Sequence, residues 1–470
     1  MEKDNNIIED EFYLLQIGTG HNTKRAKSIM SNMLENPGKS VLAQSSSRSE
    51  AKAAYQFFNN ENFVLDDISR VHHTRTIERI VEIEQPILVL QDTTYVDYTS
   101  QTKKAGRGKI SARTKGAKIH TSIATSREGL NLGVLHQLSI CKEQDNEVQQ
   151  TQYQQRTRPI EDKESYRWIE SFHESMYGLP DDIDVTVISD REGDIYEYMN
   201  AVNSKRRYFL MRVAQNRITT DNEKILDSIK KSDSSGEIYI NIPRNTHKKV
   251  ESRKANMEIR FKKYEIKRPV ILNGVANLPD SITVYVIHVI EANTPVGVEP
   301  IEWFLMTNRV ISNANEAVQQ IQNYMQRWKI ERFHYVLKSG GCKIEDIQAR
   351  SMQVTLSMIM IYSIISVFIM NMTYAARLDP DAPCSIFFEE EEWKLLYSII
   401  YATTEIPATP INIKEAIKLV AWLGGGKRPP SDGEPGLKLI WQGLEKLYCI
   451  CKYKDRIIEY ENHKKLTVQV

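Results

Sequence analysis

Three acidic residues of the sequence could form one catalytic site. Asp92 and Asp190 each stand at the end of a short apolar run, and Glu331 lies in a strongly helical segment. An aspartate after a strand usually caps a turn, but three converging carboxylates repel one another by several kcal/mol. Protonation or a divalent cation must offset this repulsion, and all-oxygen ligands favour Mg²⁺ or Mn²⁺. Two such ions can activate water and stabilise the leaving oxygen of a phosphodiester.

The segment around Glu331 places more reactive side chains beside that carboxylate. At about 100° per residue, a helix gathers four of them into a stripe roughly 60° wide. The four are Tyr324, Arg327, Glu331 and Lys338. A solvated face with an Arg327–Glu331 ion pair is the ordinary explanation, so the rest of the sequence must decide.

Local charge favours a polyanionic substrate, although the net charge of the chain is only +1. Segment 103–118 is rich in lysine and arginine and has no acid, and segment 244–268 is also basic. Gly106 and Gly108 predict that the first segment is a mobile loop able to fold onto DNA phosphates. A merely solvated loop is the alternative.

Apolar runs and turn signals predict an α/β chain that could position these residues. Residues 1–75 have helical periodicity, and a helix is expected over 313–337. Segments 118–125 and 132–140 predict a hairpin. Buried strands are expected to end near Asp92 and at Asp190, and segments 206–214 and 302–310 read as two more. Period-2 alternation predicts several strands between 237 and 290.

Composition restricts the class of protein further. The chain has 470 residues, of which 41% are hydrophobic and 26% charged, as in a globular protein of several domains. Five cysteines without zinc-site spacing predict a reducing cytoplasm and no structural zinc. The acidic, polar start of the sequence is not expected to be a signal peptide. The uncharged segment 351–376 could span a bilayer by length, but its polar residues favour a buried core helix.

The helix residues match the motif Tyr-x2-Arg-x3-Glu-x6-Lys at full spacing, and in this the chain resembles DDE transposases of the IS4 family, close to the Tn5 type. "LQDTTYVDY" and "ISDREGDIYEY" resemble the two aspartate segments of that family. "SEAKAAYQFFNN" resembles its N-terminal DNA-binding module, and "SDGEPGLKLIWQGLEKL" resembles a C-terminal segment. The similarity is scattered over nearly the whole chain.

The resemblance implies a role for each candidate residue. Asp92, Asp190 and Glu331 would be the catalytic, metal-binding triad for Mg²⁺ or Mn²⁺. Trp303 would stack a flipped base, with a core aromatic as the alternative. The other expected DNA contacts are Tyr324, Arg327, Lys338, Lys103, Lys104, Arg107, Lys109, Arg191 and Arg212.

The resemblance also implies a domain plan. An α/β RNase H-like catalytic domain would span 76–375, with a β-strand-rich insertion over 231–300. A helical DNA-binding domain (1–75) would precede it, and a helical dimerisation region (376–470) would follow.

The expected reaction is cleavage at transposon ends and strand transfer into target DNA, cut-and-paste through a hairpin intermediate. The expected partners are double-stranded DNA and a second copy of the chain, without a membrane, in the bacterial cytoplasm at the nucleoid. One alternative is a non-catalytic DNA-binding regulator derived from a transposase, which the intact triad disfavours. The other is a glycosidase with paired carboxylates, which the basic segments disfavour.

Overall fold

One mixed β-sheet organises the chain. The computed structural model describes residues 7–18, 20–59, 65–141, 157–242, 251–273, 275–426 and 435–467. Within these ranges the strands are β1 Ile87–Asp97, β2 Gly108–Lys109, β3 Lys115–Ser126, β4 Asn131–Ile140, β5 Val185–Ser189, β6 Arg207–Arg212, β7 Gly236–Ile242, β8 Arg253–Lys267, β9 Ser281–Glu291 and β10 Glu302–Thr307.

The sheet has a core half and an extension. In the core half, β4, β3 and β1 are antiparallel neighbours, and β1, β5 and β6 run parallel. β10 then pairs with β6, and β9, β8 and β7 continue the same sheet outward. The strands predicted between 237 and 290 therefore extend the core sheet through β10, because the β6–β10 pairing leaves no break.

Helices cover both ends of the chain and the faces of the sheet. They are α1 Ile7–Glu11, α2 Gly20–Glu35, α3 Val41–Gln44, α4 Arg48–Phe58, α5 Leu65–Ile83, α6 Arg167–Met176, α7 Tyr196–Val202, α8 Ile225–Ile229, α9 Ala314–Met325, α10 Trp328–Tyr335, α11 Met352–Leu378, α12 Glu390–Tyr401, α13 Ile413–Leu423 and α14 Leu437–Thr467. The α/β fold class predicted from the sequence is confirmed.

Helix α11 is the central helix of the larger hydrophobic core. Among the described residues it is the one helix long and apolar enough to cross a membrane, and 83% of its most apolar window is buried inside the protein. Two of its buried serine hydroxyls are satisfied within the helix: Ser363 donates to the Ile359 carbonyl at 2.9 Å and Ser366 to the Tyr362 carbonyl at 2.7 Å. This burial agrees with the prediction of a core helix.

Two predicted domain boundaries fall inside continuous helices. Residue 75 lies within α5, and residue 375 lies within α11. Each helix is shared because its apolar face packs on the sheet as well as on a helical region: Ile80 of α5 and Ile365 of α11 are fully buried. The helical regions at both ends of the chain are therefore packed onto the sheet.

Two elements near the candidate residues differ from their predictions. Strand β1 does not end near Asp92 but continues to Asp97, because β3 pairs with it along that whole length. The helix expected over 313–337 is two helices, α9 and α10. Between them the Gln326 amide bonds to Asn323 and the Arg327 amide to Tyr324, the tighter i→i−3 pattern that ends an α-helix.

Candidate active site

Asp92 lies where β1 loses its parallel neighbour. The β1–β5 pairing ends at Leu90 and Ile188, so the two strands separate beside Asp92 while β3 still supports its backbone. The Thr93 amide donates to Asp92 Oδ1 at 2.8 Å, and the Asp92 side chain is 19% exposed. The carboxylate is thus held by its own strand, and its other oxygen lies 3.6 Å from Arg327 Nη1.

Asp190 is the first residue after β5, as predicted. It caps the short 3₁₀ turn at residues 191–193, in which the Glu192 amide donates to Asp190 Oδ1 at 2.8 Å. The ordinary capping role of a strand-end aspartate is therefore real here. It leaves the second carboxylate oxygen free for other chemistry, because one lone pair of one oxygen satisfies the cap.

The pKa of Asp92 shows which charges share its site. The pKa of Asp92 is raised to about 6, mainly by burial and also by the negative charges of Asp190 and Glu331, while the Thr93 amide and the Arg327 guanidinium act to lower it. All three predicted triad residues therefore interact electrostatically at the end of β5. A raised carboxyl pKa in a cleft is typical of functional sites.

Arg327 lies between two of the three carboxylates. Its Nη1 is 3.6 Å from Asp92 Oδ2, and its Nη2 donates to Glu331 Oε1. Among the described residues, no three His, Cys, Asp or Glu side chains are grouped closely enough to enclose a metal ion. The donor set nevertheless suits a hard divalent cation, because it consists of carboxylate oxygens whose mutual repulsion a cation would relieve.

Tyr324, Arg212 and Trp303 line the side of the site next to Asp190. Tyr324 is only 7% exposed, and burial raises its pKa. Burial lowers the pKa of Arg212, which interacts with Tyr324, Arg191 and Asp190. The Trp303 ring lies 6.2 Å from that of Tyr324 at 60°, so an indole borders the site from β10.

Lys338 is not brought to the triad. It lies in a π-helical turn, Val336–Gly340, where its ammonium donates to the Tyr95 carbonyl at 2.8 Å and pairs with Glu345 at 3.1 Å. The helical face predicted at 100° per residue does not include Lys338, because the helix is interrupted before α10 and becomes a wider π-helical turn after it. Lys338 therefore lies farther along β1, past Asp92.

The basic segment 103–118 divides into buried and exposed cations. Lys104 is 4% exposed, and its ammonium donates to the Ile347 and Ala349 carbonyls at 3.0 and 2.8 Å and to the Thr355 hydroxyl at 2.7 Å. Arg107 donates to four backbone carbonyls of the same loop. These bonds are at odds with the expected mobile loop, and Lys104 in particular is turned away from any DNA.

Lys103, Lys109 and Arg191 are exposed, as their predicted DNA contacts require. Sequence reasoning missed Trp328, which follows Arg327 directly and is 61% exposed. An exposed indole at the rim of a site is a ready stacking surface for a base. The signal that could have found it is the bulky aromatic on the polar side of α10.

Two family models match the chain. The model described as "Transposase DNA-binding" covers residues 4–63, and the one described as "Transposase DDE domain" covers residues 167–368. The second match contains Asp190, Glu331 and the helix residues, whereas Asp92 precedes it. A DDE domain has an RNase H-like core, which the order and directions of β4, β3, β1, β5 and β6 agree with.

These matches define the class of protein as a DDE transposase. The chain thus has the domains of a DNA-binding enzyme that breaks and joins phosphodiester bonds, and DDE domains in general depend on divalent metal ions. A cryo-EM structure of the piggyBac transposase synaptic complex with hairpin DNA is similar at a TM-score of 0.37 and 9% identity, covering 79% of this chain and 72% of that one. That similarity is too low to carry an argument.

Proposed function

We propose that this chain is a cut-and-paste transposase of the IS4 family, of the Tn5 type, with Asp92, Asp190 and Glu331 as its catalytic triad. One observation carries the proposal: Arg327 contacts both Asp92 and Glu331, and the charges of Asp190 and Glu331 both raise the pKa of buried Asp92. A site of this charge has little structural value, since buried like charges cost free energy, and it therefore points to catalysis.

The proposed cofactor is Mg²⁺ or Mn²⁺, held by the three carboxylates. When bound, such ions activate the attacking oxygen and stabilise the leaving one. The chain contributes the rest. Asp92 must lose its proton to become a ligand, and Arg327 must exchange at least one carboxylate for a phosphate oxygen, which its planar fork of donors also suits.

We propose that Tyr324, Arg212 and Arg191 hold the DNA backbone beside Asp190, and that Lys338 reaches it after leaving Glu345. In support, Arg191 is exposed, Arg212 interacts with Asp190 and Tyr324, and the Lys338 ammonium is paired with Glu345. Phosphate contacts of this kind fix the position of a duplex without reading its sequence. Exposed Lys103 and Lys109 would extend the contact beyond the cleavage point.

Trp303 is proposed to stack a base that leaves the helix during hairpin formation. A tight turn at a DNA end stacks its bases poorly, and an aromatic partner offsets the loss by about 1–3 kcal/mol. The indole of Trp303 is only partly buried and lies beside Tyr324 next to the site, which places it within reach of a base, although it also packs against the core. Strand transfer by the freed 3′-OH into target DNA completes the proposed reaction.

The working form is proposed to be a homodimer that pairs two element ends in the bacterial cytoplasm. The C-terminal apolar face is not the support for this proposal, because Ile440, Trp441 and Leu447 of α14 are already buried in their own chain. Support comes instead from the chemistry of cut-and-paste, in which two ends must be cut together.

The experiment that tests the proposal is a nicking assay on labelled DNA with candidate terminal repeats. Wild-type protein should nick in Mg²⁺ or Mn²⁺ and not in EDTA. Glu331→Gln and Asp190→Asn should bind the DNA and leave it intact. Asp97→Asn is the matched control, since Asp97 lies in the same strand as Asp92 but outside the site.

Two results separate the proposal from its rival. Wild-type protein that binds ends but nicks in no divalent cation would indicate a non-catalytic regulator. A correctly folded Glu331→Gln protein that nicks at the wild-type rate would remove Glu331 from the triad.

A further inference from the structure

The backbone does not fix the distance between the two catalytic aspartates. The β1–β5 pairing stops at Leu90 and Ile188, two residues before Asp92 and Asp190. Beyond that point no ladder hydrogen bond joins the two segments, and the two carboxylates repel each other. Some other contact must therefore hold the segments at a separation that suits a shared cation.

A single buried arginine spans this gap. Arg167 is the first residue of α6 and is 7% exposed. Its Nε donates to Thr93 Oγ1 at 3.0 Å, and its Nη2 donates to Glu192 Oε2 at 2.6 Å. Its Nη1 donates to the Glu164 carbonyl at 3.0 Å, which ties the guanidinium to the 3₁₀ turn just before its helix.

Both partners of Arg167 hold a catalytic carboxylate themselves. The Thr93 amide donates to Asp92 Oδ1, and the Glu192 amide donates to Asp190 Oδ1, each at 2.8 Å. The guanidinium thus joins, through side chains, the two residues whose backbones orient the aspartates. On each side, two hydrogen bonds link the guanidinium to the aspartate: one to the side chain of the intervening residue and one from that residue's backbone amide.

A buried histidine fixes the Thr93 side of this bridge. Arginine can only donate, so the Thr93 oxygen accepts from Arg167 and its hydroxyl donates to His120 Nδ1 at 2.8 Å. Burial and the charge of Arg167 keep the pKa of His120 well below its usual range, so this ring is neutral and Nδ1 can accept. The orientation of the Thr93 side chain is therefore determined from both sides.

We propose that Arg167 is a positioning residue that sets the separation of Asp92 and Asp190 and, through it, the affinity of the site for its divalent cation. The inference rests on the proposed function of the triad. Lysine could not replace it, because one ammonium on a flexible stem lacks the planar fork that reaches Thr93 and Glu192 together. Partners that orient metal ligands typically change metal affinity about 10- to 100-fold when removed.

The test measures metal binding directly as well as activity. Mn²⁺ affinity is determined by electron paramagnetic resonance, and nicking is followed against Mn²⁺ concentration, for wild type, Arg167→Gln, Arg167→Lys and Glu192→Gln. We expect Arg167→Gln to weaken Mn²⁺ binding about 10- to 100-fold and to shift the nicking curve equally. DNA binding in EDTA should not change, and Arg167→Lys should recover only part of the loss.

Glu192→Gln keeps the test decisive if Arg167→Gln folds poorly, since the Glu192 side chain is 54% exposed. It removes the charge that strengthens the Arg167 hydrogen bond and should weaken Mn²⁺ binding as well, and in the double variant the two losses should not add, because both act on the same bridge. Arg253→Gln is the control: it breaks an equally specific pair with Glu291 in the sheet extension and should leave Mn²⁺ binding unchanged.

The outcomes separate this inference from the proposed function. Wild-type nicking with unchanged Mn²⁺ affinity in Arg167→Gln and Glu192→Gln overturns the role of Arg167 alone. Lower thermal stability of Arg167→Gln with normal Mn²⁺ affinity also overturns it, since Arg167 would then be structural only. Wild-type protein that shows neither metal-dependent nicking nor Mn²⁺ binding lost in Asp92→Asn overturns both.

Discussion

Replacing Asp92 by asparagine should stabilise the metal-free protein while it abolishes nicking. The pKa of Asp92 is about 6 in the folded protein against 3.8 for the free side chain, mainly because the residue is buried. The folded state therefore binds the Asp92 proton more tightly than the unfolded state. Below pH 3.8 this difference in proton binding does not change the free energy of unfolding. As the pH rises from 3.8 to 6, the free energy of unfolding progressively falls.

The difference between the two pKa values corresponds to about 3 kcal/mol once Asp92 is fully ionised. Asparagine cannot ionise, so Asp92→Asn should gain about 3 kcal/mol near pH 7.5 and about half of that near pH 5. For a chain of this size the gain should raise Tm by about 3–6 °C at the higher pH.

The assay is thermal unfolding in EDTA at both pH values. Asp97→Asn is the matched control, because hydrogen bonds from Thr99 lower the pKa of Asp97, and its loss should not stabilise. The reasoning about Asp92 is refuted if Asp92→Asn has a lower Tm than wild type near pH 7.5, or if its gain is as large near pH 5. A stabilised protein that still nicks would refute the catalytic assignment instead.

Three further predictions follow from the exposed and buried sides of the site. Lys103→Ala with Lys109→Ala should lower the slope of log affinity against log salt by about 1.8, since each lost phosphate contact contributes about 0.9; an unchanged slope would show that these lysines are only solvated. Lys104→Met should lower Tm and leave that slope unchanged, because its ammonium is buried among protein acceptors; a changed slope would contradict this. Trp303→Ala should keep the first nick and slow hairpin formation about 10- to 100-fold, as followed on denaturing gels; hairpins at the wild-type rate would return Trp303 to a structural role.

The sequence predicted the core strands and two of the site's three segments because each depends on local pattern. Apolar runs that end in an aspartate, such as the one before Asp190, are read directly as buried strands with a functional residue at the end. The Arg327–Glu331 contact was also foreseen, because i,i+4 spacing survives in any helical turn. The sequence suggested that the three carboxylates converge only because all three occur in suitable segments of one chain. Their positions in space follow from the order of the strands in the sheet.

Other features depend on tertiary contacts and could not be predicted. The burial of Lys104 depends on carbonyls more than 240 positions away, and no local signal marks it. Lys338 pairs with Glu345 because it lies in a π-helical turn, and a regular helical projection cannot show such a turn. The packing of Trp441 of α14 directly on Gly341 beside that turn also joins distant segments, which local pattern cannot show.

Arg167 was also missed, and for a related reason. Its partners, Thr93 and Glu192, are side chains next to the aspartates and not the aspartates themselves. A lone arginine before an apolar helix looks like an ordinary surface cation in a sequence. Only the end of the β1–β5 pairing, seen in three dimensions, shows that a bridge is needed there.

Anomalous diffraction from Mn²⁺ in crystals of the protein with a DNA end tests the central claim most directly. The account predicts Mn²⁺ within about 2.0–2.3 Å of carboxylate oxygens of Asp92 and Asp190, with Glu331 at the same site, and loss of that signal in Asp92→Asn. Mn²⁺ bound elsewhere and by none of these three residues, in a complex competent to nick, would contradict it.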